Sequence, residues 1–206
     1  MKIISLGPAY PIRGGIAKFN ESLCASLVKQ GHDVSLLSYK FQYPGFLFPG
    51  KTQYANDNKP PEDLNIQSLL HSLSPFNWKK TAKAIINSQP DILIVHYWMP
   101  FFAPALGYVI RKVKKRMNSG TKVVIIAHNL IPHEWQPGSM VLNRYLLSKT
   151  DLVVTLSDSV SADAEIIRPG ISRLVLPHPV YDAYGKKIER TKALQALNLP
   201  VTKKCI

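Results

Sequence analysis

Short apolar runs recur along the chain and alternate with stretches of helical periodicity. The apolar runs predict strands at residues 3–6, 34–37, 65–69, 92–95, 123–127, 152–155 and 174–176. Most of these runs are continuously apolar, which is typical of strands buried on both faces of a parallel sheet. Apolar positions three and four residues apart predict helices at residues 16–27, 77–87, 104–117, 140–147, 159–167 and 192–199. The alternation predicts a doubly wound α/β domain with a mainly parallel sheet.

A glycine pair joins the first strand to the first helix. Gly14 and Gly15 come directly before the helical periodicity, and Gly31 follows the helix as a left-handed stop. Glycine at a helix start lets backbone N–H groups approach a phosphate, where the helix dipole favours negative charge. The pair therefore predicts an anion site. The alternative is a tight turn without a ligand.

The same segment argues against a nicotinamide cofactor. Such an enzyme should carry G-x-G-x-x-G here and an acidic residue at the end of the second strand. Gly7 lies too far before Gly14 for that spacing, and the second strand runs into the sequence Ser38-Tyr39-Lys40. Neither part of the fingerprint is present.

Composition limits the class of protein and of partner. The 206 residues are 46% hydrophobic, which is enough for one substantial core. Lys and Arg number 26 against 13 Asp and Glu, so the formal net charge is +13. This balance predicts an anionic partner, whether nucleic acid, a phosphorylated small molecule or an acidic membrane face. Cys24 and Cys205 show no C-x-x-C spacing, which favours a reduced, cytoplasmic protein without structural zinc.

One stretch resembles a membrane span. Residues 92–110 contain no Asp, Glu, Lys or Arg and nearly reach the necessary length. Pro100, Pro104 and a strand-like first half favour a buried strand, an apolar loop and a helix start instead. The N-terminal apolar run breaks at Gly7-Pro8, so no signal peptide is predicted.

Two histidines follow predicted strands. His96 comes after residues 92–95, and His128 comes after residues 123–127 and precedes Asn129. Open parallel sheets bind ligands beyond the carboxyl ends of their strands, so the two histidines predict a shared cleft. The alternative for each is a hydrogen bond to a neighbouring loop.

Two other chemistries find little support. His128, His133 and Glu134 lie close in sequence, but no H-E-x-x-H helix is formed and Pro132 breaks the spacing that metal ligands need. No G-x-S-x-G elbow occurs, and Ser157 is predicted to be a helix N-cap. We therefore expect neither a metal site nor a serine nucleophile.

Two further segments leave alternatives open. Residues 41–63 form a long irregular stretch whose aromatic part, residues 43–48, predicts a binding loop or a packed Ω-loop. The basic run at residues 111–116 ends a predicted helix, where cations complement the dipole. Attraction to anionic lipid is the alternative for that run, whereas nucleic-acid binding lacks a recognition motif.

Five stretches together resemble a known family. They are residues 7–17, 29–34, 90–92, 127–129 and 177–181, and their order and spacing are more specific than any one of them. The chain resembles the N-terminal half of a family-4 glycosyltransferase of the GT-B type, over nearly all of its length. The resemblance implies a Rossmann-like domain at residues 1–182. Residues 183–206 would then be a linker and the start of a missing C-terminal, donor-binding domain.

The resemblance also implies an activity. Such enzymes transfer a sugar from a nucleotide-sugar to a glycan, lipid-linked or other acceptor, with retention of configuration and without a metal or other cofactor. The charge of +13, the aromatic residues 43–48 and the apolar residues 98–102 favour a lipid-linked acceptor, with the cytoplasmic protein peripheral at the inner face of an anionic membrane. No nucleic-acid partner is expected, because no recognition motif accompanies the charge. Without the donor-binding domain, this chain alone is expected to be inactive.

Roles for individual residues follow from the same resemblance. Gly14 and Gly15 would contact the donor phosphates, and His128 would be the catalytic residue, near the reacting carbon. The acceptor side would be lined by Tyr10, Arg13, His96, Trp98 and Asn129. A non-catalytic α/β module that binds a phosphorylated ligand or a membrane surface is the alternative. An epimerase or dehydrogenase would need the missing cofactor fingerprint and a Tyr-x-x-x-Lys pair.

Overall fold

The fold follows the predicted alternation of strands and helices. The computed structural model describes residues 1–45, 52–55, 61–117, 120–131, 137–178 and 187–200. The strands are β1 Lys2–Leu6, β2 Asp33–Phe41, β3 Asn65–His71, β4 Ile92–Tyr97, β5 Lys122–Ala127, β6 Leu152–Thr155 and β7 Arg173–Val175. The helices are α1 Gly15–Lys29, α2 Pro75–Ser88, α3 Ala103–Arg116, α4 Ser139–Leu147, α5 Asp158–Ile167 and α6 Arg190–Ala196.

The strands form one parallel sheet in the order β3-β2-β1-β4-β5-β6-β7. The chain moves outward from β1 through β2 to β3 and then returns to the other side of β1 with β4. This reversal makes β1 and β4 the topological switch point, where open α/β sheets bind their ligands beyond the strand ends. The doubly wound, Rossmann-like α/β fold predicted from the sequence is confirmed.

Alternate residues of each strand face two different apolar clusters. On one face, Ile4 and Leu6 of β1 join a cluster with buried residues of α2, α3, α4 and α5. On the other face, Ile3 packs in a cluster with Phe19 and Cys24 of α1. A strand exposes successive side chains to opposite faces, which explains why continuous apolar runs form the sheet interior.

The apolar stretch at residues 92–110 forms β4, a 3-10 turn at Pro100–Phe102 and the first half of α3. This outcome agrees with the prediction of a strand, a loop and a helix start. Among the described residues, no helix is both long enough and apolar enough to cross a bilayer.

The second strand is longer than predicted. Ser38 and Tyr39 are both buried in β2, although the polar sequence there indicated the strand's end. The Ser38 hydroxyl donates to the carbonyl of Ala9 and accepts the Ala9 N–H, so its burial leaves no polar group unpaired. The predicted ends of two other elements are correct: Gly31 has φ 83°, and the Ser157 side chain caps α5.

Several predictions concern residues outside the described ranges. These include residues 46–48 of the aromatic segment, the alternative metal ligands His133 and Glu134, the second cysteine Cys205, and residues 183–186 and 201–206 of the tail.

Candidate functional site

The glycine pair lies at the start of α1 and is exposed to solvent. Gly14 has φ 133°, a conformation that L-residues rarely adopt, and Gly15 is the first residue of the helix. No side chain of the described residues caps this helix start, so its first N–H groups have no partner within the helix or from a described capping side chain. A methyl group added to either glycine would meet no atom of the described part of the chain within 4 Å. The geometry leaves room for an anion at these N–H groups.

The turn between β1 and α1 is fixed by buried hydrogen bonds. Asn20 donates to the carbonyl of Pro8 over 2.9 Å and accepts from the Ser5 hydroxyl over 2.6 Å. The Tyr10 N–H donates to a carboxylate oxygen of Glu21 over 2.9 Å. Because these partners lie on β1 and α1 themselves, the two elements hold the turn in place from both sides.

Arg13 contacts a second segment of backbone. Its N–H donates to the carbonyl of Gln53 over 2.9 Å, and its Nε donates to the carbonyl of Thr52 over 3.0 Å. Ile12 forms an antiparallel bridge with Tyr54 beside these bonds. The segment before the glycine pair is therefore tied to residues 52–55, and one guanidinium donor of Arg13 is used there.

His96 and His128 form a contact at the carboxyl edge of the sheet. Nδ1 of His96 lies 3.1 Å from Nε2 of His128, and the stacked rings have centroids 5.4 Å apart. His96 is fully buried near the end of β4, whereas His128, directly after β5, is only half-buried. The shared cleft predicted from the sequence gains geometric support, with His128 on its open side.

Gly7 makes room for His96. A Cβ atom at Gly7 would lie 2.8 Å from Cβ and 2.9 Å from Cδ2 of His96, closer than packed atoms allow. Gly7 is the residue after β1, and β4 is the neighbouring strand. The imidazole of His96 therefore packs directly on the backbone at the end of β1, which only glycine permits.

Phe19 connects the glycine pair to the histidines. Its ring centroid lies 5.9 Å from His96, 5.3 Å from His128 and 5.3 Å from His178. Phe19 follows Gly15 by four residues, so the two share one side of α1. The helix start and the histidine pair thus belong to the same region at the switch point between β1 and β4.

Burial keeps both histidines neutral. The pKa of His96 lies well below its ordinary 6.5 because the ring is desolvated and because His128 is adjacent. Burial, followed by repulsion from His178, lowers the pKa of His128 to about 4. Nε2 of His96 has no hydrogen-bond partner among the described residues. At neutral pH one imidazole N–H therefore donates to the other ring's lone pair.

The remaining predicted acceptor residues have different environments. Trp98 packs against Phe102, with ring centroids 4.3 Å apart, and against Tyr39 at 6.1 Å, so much of its ring belongs to the core. Tyr10 and Asn129 are half-buried. His96 lies behind His128, so it is further from solvent than direct contact with an acceptor would require.

Two residues of this region were not assigned a role from the sequence. In the sequence, Phe19 is one of the apolar positions of the helix predicted at residues 16–27, and its periodicity does not distinguish it from the other core residues of that helix. His178 lies between Pro177 and Pro179 in the stretch 177–181 that contributes to the family resemblance, and its partner Phe19 is distant along the chain. Only the tertiary structure joins them.

Solved structures share this fold. The catalytic domain of starch synthase IV from Arabidopsis thaliana, bound to ADP and acarbose, matches with a TM-score of 0.56 and 10% identity, over 88% of this chain and 52% of its own. UDP-N-acetylglucosamine 2-epimerase from Rickettsia bellii matches with a TM-score of 0.57 and 13% identity, over 97% of this chain and 52% of its own. An alpha-glucosyltransferase in complex with UDP and a 13-mer DNA containing an HMU base matches with a TM-score of 0.53 and 16% identity. The match covers 84% of this chain and 42% of that protein.

The chain therefore spans about half the length of these proteins, or less. No curated protein matches it. A family profile, that of Glycosyltransferase Family 4, matches residues 13–170, which include the glycine pair and both histidines of the site. The chain belongs to Glycosyltransferase Family 4, and its Rossmann-like sheet is consistent with the N-terminal domain of a GT-B glycosyltransferase.

Proposed function

We propose that this chain is the acceptor-side domain of a retaining, metal-independent glycosyltransferase that uses a nucleotide-sugar. The observation that carries the proposal is the uncapped helix start at Gly14 and Gly15 beside the neutral imidazole of His128, with Phe19 packed between them. The matching alpha-glucosyltransferase structure contains UDP, and the matching starch synthase IV structure contains ADP, which supports a nucleotide-sugar donor.

In this proposal the start of α1 stabilises the leaving diphosphate. Negative charge develops on the phosphates as the bond to the sugar breaks, and preorganised backbone N–H groups favour that charge. Gly15 permits the close approach because it carries no side chain and has open space around it. The helix dipole acts in the same direction.

His128 orients the donor sugar through a hydrogen bond. A buried N–H without an acceptor is costly, so the favoured tautomer puts the shared hydrogen on Nδ1 of His96 and leaves the partnerless Nε2 of His96 unprotonated. His128 then carries its own hydrogen on Nδ1 and can donate it to a sugar oxygen. His96 acts as a positioning residue, because it reaches the cleft only through His128.

The acceptor is proposed to be a glycan or a lipid-linked molecule held near Tyr10, Arg13, Trp98 and Asn129. The excess of 26 Lys and Arg over 13 Asp and Glu supports peripheral contact with an anionic membrane, where a lipid-linked acceptor would lie.

Amide-resolved NMR titration of the chain with UDP, ADP and GDP tests the donor side. We expect weak binding, with a Kd of about 1 mM or above, and shifts concentrated at Gly14, Gly15 and His128. Uridine, which lacks the phosphates, is the matched control ligand and should leave Gly14 and Gly15 unshifted. Diphosphate-induced shifts confined to other surfaces would contradict the proposal.

A further inference from the structure

A groove of about 490 Å³ separates the exposed sides of α2 and α3. Its lining includes five cationic side chains, those of Lys79, Lys83, Lys112, Lys115 and Arg116. Neither helix contains an Asp or Glu residue. In most surface helices opposite charges three or four residues apart would offset such a cluster, so the two helices leave an uncompensated positive surface.

The basic run of α3 divides into internal and exposed members. Arg111 donates to the carbonyl of Tyr145 over 2.6 Å and lies over the Tyr145 ring, and Lys114 pairs with Asp151 at 2.8 Å. These two cations hold α3 to neighbouring parts of the protein. The rest of the run, Lys112, Lys115 and Arg116, is exposed and forms no ion pair among the described residues.

The exposed lysine-bearing side of α2 also carries an apolar side chain. Phe76 is 88% exposed, and helical spacing aligns it with Lys80 and Lys83. Trp78 of α2 contacts Tyr108 of α3, with ring centroids 6.0 Å apart, and Nζ of Lys112 lies 5.5 Å from the centroid of that tyrosine. The surface therefore combines clustered cations with aromatic side chains at one end.

We propose that this α2–α3 groove docks the protein on a membrane that contains anionic lipids. Phosphate-bearing headgroups complement the cations, and Phe76 enters the interface between headgroups and acyl chains. Nucleic acid would satisfy the charge, but it would give no reason to hold a phenyl ring in solvent beside it. The inference rests on the membrane contact of the proposed function and gives that contact a location.

The groove is separate from the candidate site. In a parallel α/β sheet the helices run opposite to the strands, so the C-terminal halves of α2 and α3 lie toward the amino edge of the sheet. His96 and His128 lie at the carboxyl edge. Docking through the groove thus places the cationic C-terminal halves of the helices toward the amino edge, and Phe76, at the start of α2, on the side of the carboxyl edge that carries the histidines.

Cosedimentation with phosphatidylcholine vesicles, with and without phosphatidylglycerol, tests the proposal. The groove variant changes Lys79, Lys83, Lys112 and Lys115 to Glu, and a control variant makes the same change at the exposed residues Lys29, Lys40, Lys149 and Lys192. We expect the groove variant to lose at least about tenfold in affinity for phosphatidylglycerol vesicles, and the control less than about threefold. Circular dichroism and thermal unfolding of both variants check that they fold.

Phe76→Ser separates a membrane from nucleic acid. It should weaken binding to phosphatidylglycerol vesicles by about threefold or more and leave binding to a DNA duplex unchanged. Equal losses in the two lysine variants, or no effect of Phe76→Ser on vesicle binding, would each overturn the proposal. So would the absence of wild-type binding to phosphatidylglycerol vesicles. The NMR titration with nucleotides tests the donor side separately, because it involves no lipid.

Discussion

Nδ1 of His96 lies 3.1 Å from Nε2 of His128, and only the second ring is accessible from solvent. The contact fixes the orientation of the accessible imidazole through a fully buried one. It also explains why residue 7 is a glycine, because His96 packs directly against the backbone at that position. A substitution at Gly7 or His96 should therefore change the orientation of the His128 imidazole.

The histidine pair should make stability depend on pH. A histidine whose pKa is lower in the folded than in the unfolded state binds fewer protons when folded, so stability falls as pH decreases. For His128 this pH range lies between its ordinary pKa of 6.5 and its folded-state pKa of about 4. Within it, each such group changes the free energy of unfolding by up to about 1.4 kcal/mol per pH unit.

We therefore expect the Tm of the wild-type chain to fall between pH 7 and pH ~5, and the fall to be smaller in His128→Gln, which cannot titrate. Thermal unfolding followed by circular dichroism measures both. His32→Gln, at the amino edge of the sheet before β2, is the control for replacing a histidine outside the pair. An unchanged dependence in His128→Gln would contradict the neutral buried pair.

Gly7→Ala should destabilise the chain by about 1–3 kcal/mol, because the new methyl group would overlap His96 at 2.8 Å. Urea unfolding measures the loss. Gly15→Ala is the matched control: its Cβ meets no atom of residues that the structure describes within 4 Å, so its stability should stay within about 0.5 kcal/mol of wild type. Equal stability of the two variants would mean that His96 does not pack on β1 in this way.

Much of this region could be predicted from the sequence, because parallel strands that are buried on both faces appear as continuous apolar runs. The sequence predicts only a shared cleft for His96 and His128, and their contact results from the pairing of β4 with β5 in the sheet. The length of β2 could not be predicted, since the partner that satisfies Ser38 lies 29 residues away at Ala9. Only tertiary partners reveal such satisfied polar groups.

The basic run of α3 illustrates the same limit. Its five cations look equivalent in sequence, but Arg111 and Lys114 find partners 34 and 37 residues further along the chain. The pKa of Asp151, which burial alone would raise, is lowered by the hydrogen bonds from Lys114 and from the Val123 N–H. Two members of the run are thus structural, and the other three remain for a partner.

His128→Ala should lower kcat more than it raises the KM for acceptor, in an enzyme that contains this chain as its N-terminal domain. The reason is that the proposed hydrogen bond is made near the reacting carbon, so the transition state loses more than the bound acceptor does. Steady-state kinetics measure both constants, and His32→Ala is the control. Near-wild-type kcat in His128→Ala would remove this histidine from the proposed mechanism.

Gly15→Leu should separate binding from folding. The open space at Gly15 accommodates the side chain, so the Tm should remain within a few degrees of wild type. The same side chain would cover the helix start and prevent a phosphate from reaching its N–H groups. NMR titration with UDP should therefore lose the shifts at Gly14. Retained shifts there would mean that the diphosphate does not approach this helix start.

The isolated chain should fold cooperatively and yet bind nucleotide-sugars only weakly. Its sheet buries apolar residues on both faces, which is the condition for an independent core. For the donor it offers backbone N–H groups and a neutral histidine, and one donor group of Arg13, next to the glycine pair, is already bonded to Thr52. Calorimetry with uridine- and guanosine-diphosphate sugars checks the expectation. Micromolar binding would place the donor site chiefly on this chain, and the absence of a cooperative unfolding transition would show that its core needs a partner domain.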